Sequence, residues 1–264
     1  MLLQTPTATV YYEVHGPSDA PAVLCSHGVA MDHRTFDAQV RALKQRYRVI
    51  VWDMPYHGRS SAIDKSLPFS RTAADLSVGI LDELGIREAV HVGLSLGSLV
   101  AQKAAHYHPD RFTALVHVGG SPLHPRYPSI LRAAEPLVHA ILKLYPVDAM
   151  NRTFAEHKAL SEETKAYLME TLPATGVDAI IHLNKEMLRD MVEGLPEYNR
   201  QPALIVYGDH EVGFVRKKCR TWHAALPDSR LVVIPDAHHI TNQDNPEAFN
   251  EVLLSFLDEV CQVA

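Results

Sequence analysis

The 264-residue chain is 47% hydrophobic and 21% charged, an ordinary globular composition with material for a sizeable core and one large domain, with or without an insertion. A formal charge of -6 without any lysine or arginine cluster excludes the electrostatic footprint of a nucleic-acid binder. No apolar run approaches the roughly 18 residues that span a bilayer, and the opening residues lack the basic start and apolar stretch of a secretory signal. The expectation is therefore a cytoplasmic chain without nucleic-acid or membrane partners.

In chain order, a short strand at Leu2 to Thr5 precedes β-branched runs at 8–14, 22–27, 48–53, 89–94, 113–119, 203–208 and 230–235. Several are almost continuously apolar, as parallel strands covered on both faces must be. Amphipathic stretches near 35–46, 70–85, 96–108, 213–226 and 246–260 separate them, with stop or start signals at Leu84-Gly85, His108-Pro109 and Asn245-Pro246-Glu247. The alternation predicts an α/β fold with a mostly parallel, eight-stranded sheet flanked by helices.

The rhythm fails between 121 and 200, where stretches near 127–144, 147–157, 161–171 and 176–194 read as helices without a convincing strand. This segment reads as a helical lid inserted into a core made of 1–120 and 201–264. Its apolar residues, among them Leu131, Met187 and Met191, are placed to roof a pocket, although apolar residues at helical spacing more often pack a core.

Cys25, Cys219 and Cys261 are odd in number and far apart, which reads as reduced thiols. Of the 16 histidines, only His106 with His108 and His238 with His239 stand close together, and neither pair lies in a HExxH pattern or beside a cysteine pair. No metal and no cofactor is expected.

Gly93-Leu94-Ser95-Leu96-Gly97 follows an apolar strand and opens a helix, the context in which a GxSxG string physically works as a nucleophile elbow. The turn is too sharp for bulky neighbours, which is the reason for its glycines, and the helix N-terminus behind the serine favours developing negative charge. A serine hydroxyl needs an imidazole to take its proton, and the imidazole needs a carboxylate to fix its tautomer.

With these landmarks the chain closely resembles the α/β-hydrolase superfamily over nearly its whole length outside the insertion. His27-Gly28 resembles the oxyanion loop, Asp53-Met54-Pro55-Tyr56-His57-Gly58-Arg59-Ser60 the D-x-x-G-x-G-x-S stretch, and Tyr207-Gly208-Asp209-His210-Glu211 the turn that carries the acid. Tyr56 departs from the pattern by standing where a glycine is usual, and Ser98 stands where many esterases have glycine. The segment from His27 to Ser60 is similar to the lidded esterase and enol-lactonase group.

The resemblance implies Ser95 as nucleophile and His239, seven positions before Pro246-Glu247, as base, with His238 an exposed loop residue. It implies Glu211 as acid with Asp209 as the alternative, and the backbone N–H groups of Val29 and Leu96 as oxyanion donors, with His27 shaping the loop. The activity so implied is hydrolysis of a carboxylic ester or lactone of a small to medium hydrophobic substrate through an acyl-enzyme. Two other readings stay open: cofactor-free, dioxygenase-like chemistry, suggested by the Asp32-His33-Arg34 segment, and a ligand-sensing receptor on the same scaffold.

Overall fold

The structure, a computed structural model, describes residues 1–130 and 146–261. Its strands are β1 (Leu2–Gln4), β2 (Thr9–His15), β3 (Ala22–Ser26), β4 (Arg48–Trp52), β5 (Ala89–Leu94), β6 (Phe112–Val118), β7 (Ala203–Gly208) and β8 (Ser229–Ile234). They form one sheet in the order β1-β2-β4-β3-β5-β6-β7-β8. β2 pairs antiparallel with β1 and with β4, and the remaining neighbours are parallel. This is the mostly parallel eight-stranded α/β fold that the sequence predicts.

Every residue of β3, β5 and β7 is buried, which explains their unbroken apolar character: each face of these strands lies under side chains and neither meets water. β8 closes one edge with a mixed, half-exposed pattern, the behaviour of a strand that has only one neighbour. Helices α1 (Asp37–Leu43), α2 (Phe69–Glu83) and α3 (Leu96–Tyr107) follow β3, β4 and β5. α2 packs against α3.

The stretch read as one helix over 35–46 is divided into a 3-10 turn at His33–Phe36 and then α1. The Asp32 carboxylate caps the turn by accepting the Arg34 N–H at 3.0 Å, which tightens the chain before the α-helix begins.

Between β6 and β7 the described residues form α4 (Val147–Lys158), α5 (Glu162–Thr175) and α6 (Val177–Glu193). The helix expected over 127–144 begins no earlier than Ile130, because Tyr127, Pro128 and Ser129 are not helical. Pro125 and Pro128 push the residues before them out of the helical region, and the Tyr127 N–H instead donates to the Met191 carbonyl at 2.9 Å. The rest of that stretch from 131, including Leu131, lies outside the described residues. Met187 and Met191 pack against Leu99, Leu123 and Leu195. α7 (Gly213–Ala225) packs against β7 and β8, and, after a single helical turn at Thr241–Asp244, α8 (Pro246–Cys261) packs against α1.

α6 is anchored to the core by charge. Glu186 accepts the N–H of Phe69, the first residue of α2, at 2.9 Å, a carboxylate at a helix N-terminus where dipole and orphan donors favour it. Asp190 pairs with Lys103 of α3 at 3.3 Å, with side-chain exposures of only 3% and 6%. Removing one partner of such a pair strands a buried charge. Asp190→Ala should therefore lose about 3–5 kcal/mol of stability in urea unfolding, and the double variant Lys103→Met with Asp190→Leu should recover most of that loss.

Candidate active site

The strand register decides which loops meet. Ser26 pairs with Gly93, Leu94 with Val118, Val118 with Val206 and Gly208 with Ile234. The turns after β3, β5, β6, β7 and β8 therefore open side by side at the carboxyl edge of the sheet. From β3 the chain passes to β4 on one side and then crosses to β5 on the other, the reversal that leaves a ligand crevice at that edge.

Ser95 sits at the tip of the turn between β5 and α3 with φ 52° and ψ -108°, a left-handed conformation that a non-glycine residue holds only at a cost of about 1–3 kcal/mol. Its N–H donates to the Val118 carbonyl at 2.8 Å. The flanking glycines are steric necessities: a Cβ at Gly93 would stand 2.3 Å from the Gly97 carbonyl oxygen, and one at Gly97 2.0 Å from that of Ser26.

Downstream, the His239 Nδ1–H donates to Glu211 Oε2 at 2.6 Å, with both side chains buried. The other carboxylate oxygen accepts the Val212 N–H at 2.8 Å. The imidazole lies on Gly119, where a Cβ would be 2.9 Å from Nδ1. Gly119 follows Val118, whose carbonyl holds the Ser95 N–H, so the histidine ring and the serine backbone meet two consecutive residues at the end of β6. No hydrogen bond joins Ser95 Oγ to His239 Nε2; that nitrogen is buried and has no partner among the described residues. With Nδ1 committed as donor to Glu211, Nε2 is the acceptor of the neutral ring.

Burial pulls the His239 pKa below its ordinary value, helped by the positive charge of Lys158 and only partly opposed by Glu211. For Glu211, burial works toward a raised pKa, but the hydrogen bond and charge of His239 outweigh it and the carboxylate stays ionised more readily than usual. Asp209, the alternative acid, is turned elsewhere: its carboxylate accepts the Ala237 N–H at 3.1 Å and holds the loop after β8. His238 is half-buried and not the exposed residue expected. Its Nδ1 accepts the His239 N–H at 2.8 Å while its own N–H donates to Asp244 at 2.9 Å, so the loop folds back on itself and covers the ring.

Two buried imidazoles set the loop after β3. The His27 Nδ1–H donates to the Gly28 carbonyl at 2.7 Å while Nε2 accepts the Met54 N–H at 2.9 Å. The His57 Nδ1–H donates to the Pro55 carbonyl and Nε2 accepts the Ala30 N–H, both at 3.0 Å. Because C=O and N–H of one peptide point in opposite directions, holding the Gly28 carbonyl toward His27 turns the Val29 N–H away from it. A Cβ on Gly28 would lie 3.5 Å from the Ser95 Cβ, so this peptide flanks the serine. Leu96, first residue of α3, has an N–H with no acceptor inside its own helix. His27 acts as the loop-shaping residue that the sequence suggests; His57 does as much and was legible only as one letter of a longer motif.

A sequence profile of the alpha/beta hydrolase fold matches residues 21–246. The chain belongs to the alpha/beta hydrolase family. It is 26% identical over 96% of its length to 94% of 3-oxoadipate enol-lactonase 1 of Acinetobacter baylyi. A thermophilic esterase from Thermogutta terrifontis superposes with a TM-score of 0.83 at 22% identity, covering 98% of this chain and 99% of that one. The enol-lactonase from Burkholderia xenovorans LB400 gives 0.82 at 22% identity, over 97% and 99%.

Both departures of this hydrolase from the family pattern have structural accounts. Tyr56, in place of glycine, keeps the left-handed backbone with φ 73°. Its hydroxyl donates to the Ile63 carbonyl at 2.6 Å and its ring meets His182 of α6, contacts that offset the strain and that glycine lacks. Ser98 binds His117 Nδ1 through its hydroxyl at 2.9 Å, a buried pair behind the elbow.

Among the described residues no three histidine, cysteine or acidic side chains stand together as metal ligands. The histidines have other work: His57, His91 and His117 are buried, and burial pushes each pKa down to about 3. Such a ring takes up its proton in the unfolded chain near pH 6.5 and in the folded one only near 3, so its stabilising contribution is complete above 6.5 and is lost as pH falls below it. Between these limits each ring should steepen the loss by about 1.4 kcal/mol per pH unit. His91→Gln, followed by urea unfolding from pH 7 to 4, should show a shallower slope than the parent.

Proposed function

We propose that this hydrolase cleaves a carboxylic ester or lactone of a small to medium hydrophobic substrate through an acyl-enzyme. In this reading Ser95 Oγ attacks the carbonyl carbon while His239 Nε2 takes its proton, and Glu211 holds the imidazole in the required tautomer and stabilises the imidazolium. The N–H groups of Val29 and Leu96 receive the oxyanion. His239 then protonates the leaving alcohol, and a water deprotonated by the same nitrogen releases the acid and restores the serine.

The observation that carries the proposal is the buried 2.6 Å Glu211–His239 hydrogen bond, which leaves Nε2 without a partner among the described residues, taken together with the strained elbow backbone of Ser95. Base and nucleophile of this kind commonly align only when substrate arrives. The helices between β6 and β7 serve as lid. Tyr167 of α5 supports that role: its hydroxyl accepts the Asp32 N–H at 2.8 Å, tying α5 to the chain just beyond the oxyanion loop. Arg34 reaches Asp32 and Glu170 of α5, so the side chains of Asp32 and Arg34 are engaged in this tie, while His33 reaches Asp53 in the core.

A fluorophosphonate probe should label the parent chain and leave Ser95→Ala unlabelled; equal labelling of both overturns the mechanism. Glu211→Gln should lower kcat by about 10⁴-fold through the wrong tautomer. Turnover that persists in Ser95→Ala and vanishes in His239→Ala would instead favour chemistry without an acylated serine. For a neutral ester, kcat/KM should rise with pH as His239 loses its proton, with a midpoint below 6.5, the ordinary imidazole value.

A further inference from the structure

The last residue of α4 brings a cation to the base. The Lys158 carbonyl accepts the N–H of Ile240, the residue after His239, at 3.2 Å. Two residues further, the N–H groups of Leu160 and Ser161 donate to the Asp244 carboxylate at 3.0 Å, which also accepts the His238 N–H at 2.9 Å. One backbone hydrogen bond and the Asp244 carboxylate therefore stitch the segment 158–161 to residues on both sides of His239. Lys158 cannot leave without opening that loop.

The Lys158 ammonium has no counter-ion among the described residues. Among the described residues no carboxylate lies within 4.0 Å of Nζ, and its recorded neighbour is the Phe154 ring at 6.0 Å. Lys158 is half-buried; the buried Lys103 has Asp190, and Lys165 of α5 has Glu156 and Glu162. Glu211 is close enough for its charge to act on Lys158, yet both of its oxygens are already taken by His239 and Val212. Burial accordingly pulls the Lys158 pKa below the usual lysine value. A partly desolvated ammonium without an anion carries a cost, and that cost is recovered when a bound molecule supplies the anion.

We propose that Lys158 is a specificity residue that receives a carboxylate carried by the substrate, so that the preferred ester or lactone bears a free acid group beyond the bond that is cut. A single monoanion suits this place better than a phosphate, because the Glu211 charge already acts on this one cation and a dianion would leave negative charge uncompensated. The inference rests on the ester or lactone reading of the Ser95 site.

The test compares p-nitrophenyl half-esters of C4 to C8 dicarboxylic acids with p-nitrophenyl esters of monocarboxylic acids of equal length, on the parent, Lys158→Met, Lys158→Arg and Lys158→Glu. The acid-to-neutral ratio of kcat/KM should fall by about 10- to 100-fold in Lys158→Met, the loss of one charge-assisted contact. It should fall further in Lys158→Glu, and Lys158→Arg should restore most of it, with the change residing in KM for the half-ester. In Lys158→Met the pH midpoint for the neutral ester should also move up, since the groups acting on His239 would then be Glu211 and His238 without the ammonium. The same charge preference can be read without turnover, as protection of Ser95 from the fluorophosphonate by hexanoate against hexanamide. A ratio and a protection that do not differ between the parent and Lys158→Met overturn the role of Lys158 and leave the hydrolase reading intact. Equal labelling of the parent and Ser95→Ala overturns that reading instead.

Discussion

Burying the Glu211 carboxylate beside the His239 imidazole is the interaction around which the carboxyl edge of this sheet is arranged. A carboxylate removed from water is tolerated only when its oxygens are hydrogen-bonded and a positive or polar partner faces it. Glu211 satisfies both conditions with the Val212 N–H and the His239 ring. The room for this comes from residues with no side chain: at Gly208 a Cβ would stand 2.0 Å from the Ala237 carbonyl oxygen, and at Gly119 one would press on the ring itself. A larger residue at Gly208 would drive the loop after β8 away from the end of β7, and one at Gly119 would drive it away from the turn after β6.

Around this pair the protein spends its histidines as neutral, directional connectors. Each buried imidazole offers one donor and one acceptor, so His27 and His57 can each bind a carbonyl and an N–H of different loop segments. A protonated ring would have two donors and would break one of those bonds. Burial, which disfavours the charged form, is thus what makes the connectors dependable. The same logic joins the helices between β6 and β7 to the sheet: Asp244 gathers N–H groups from both sides, and Tyr167 meets the chain at Asp32.

Much of this was legible in one dimension because the responsible forces are local. Strand burial writes itself as unbroken apolar runs, and the elbow demands glycines at fixed distances from its serine. Where readings failed, a competing local or tertiary effect prevailed. The helix expected from 127 yields to the prolines at 125 and 128, and His238 is drawn inward by its bonds to His239 and Asp244. Tyr56 shows the limit from the other side: the sequence marks it as a departure, but only the fold shows that the position keeps its left-handed backbone and holds it with ring and hydroxyl contacts.

By itself the sequence determined the layered α/β architecture, the strand-turn-helix setting of Ser95 and the short set of side chains from which a site could be drawn, because periodicity and turn stereochemistry act over a few residues. The choice between Glu211 and Asp209 as the partner of His239 came from the tertiary structure, as did the direction of the Val29 N–H and the arrival of Lys158 beside the His239 loop. Those depend on which loops the parallel register lays next to one another, and a contact between residues separated by tens of positions leaves no periodic trace in the chain.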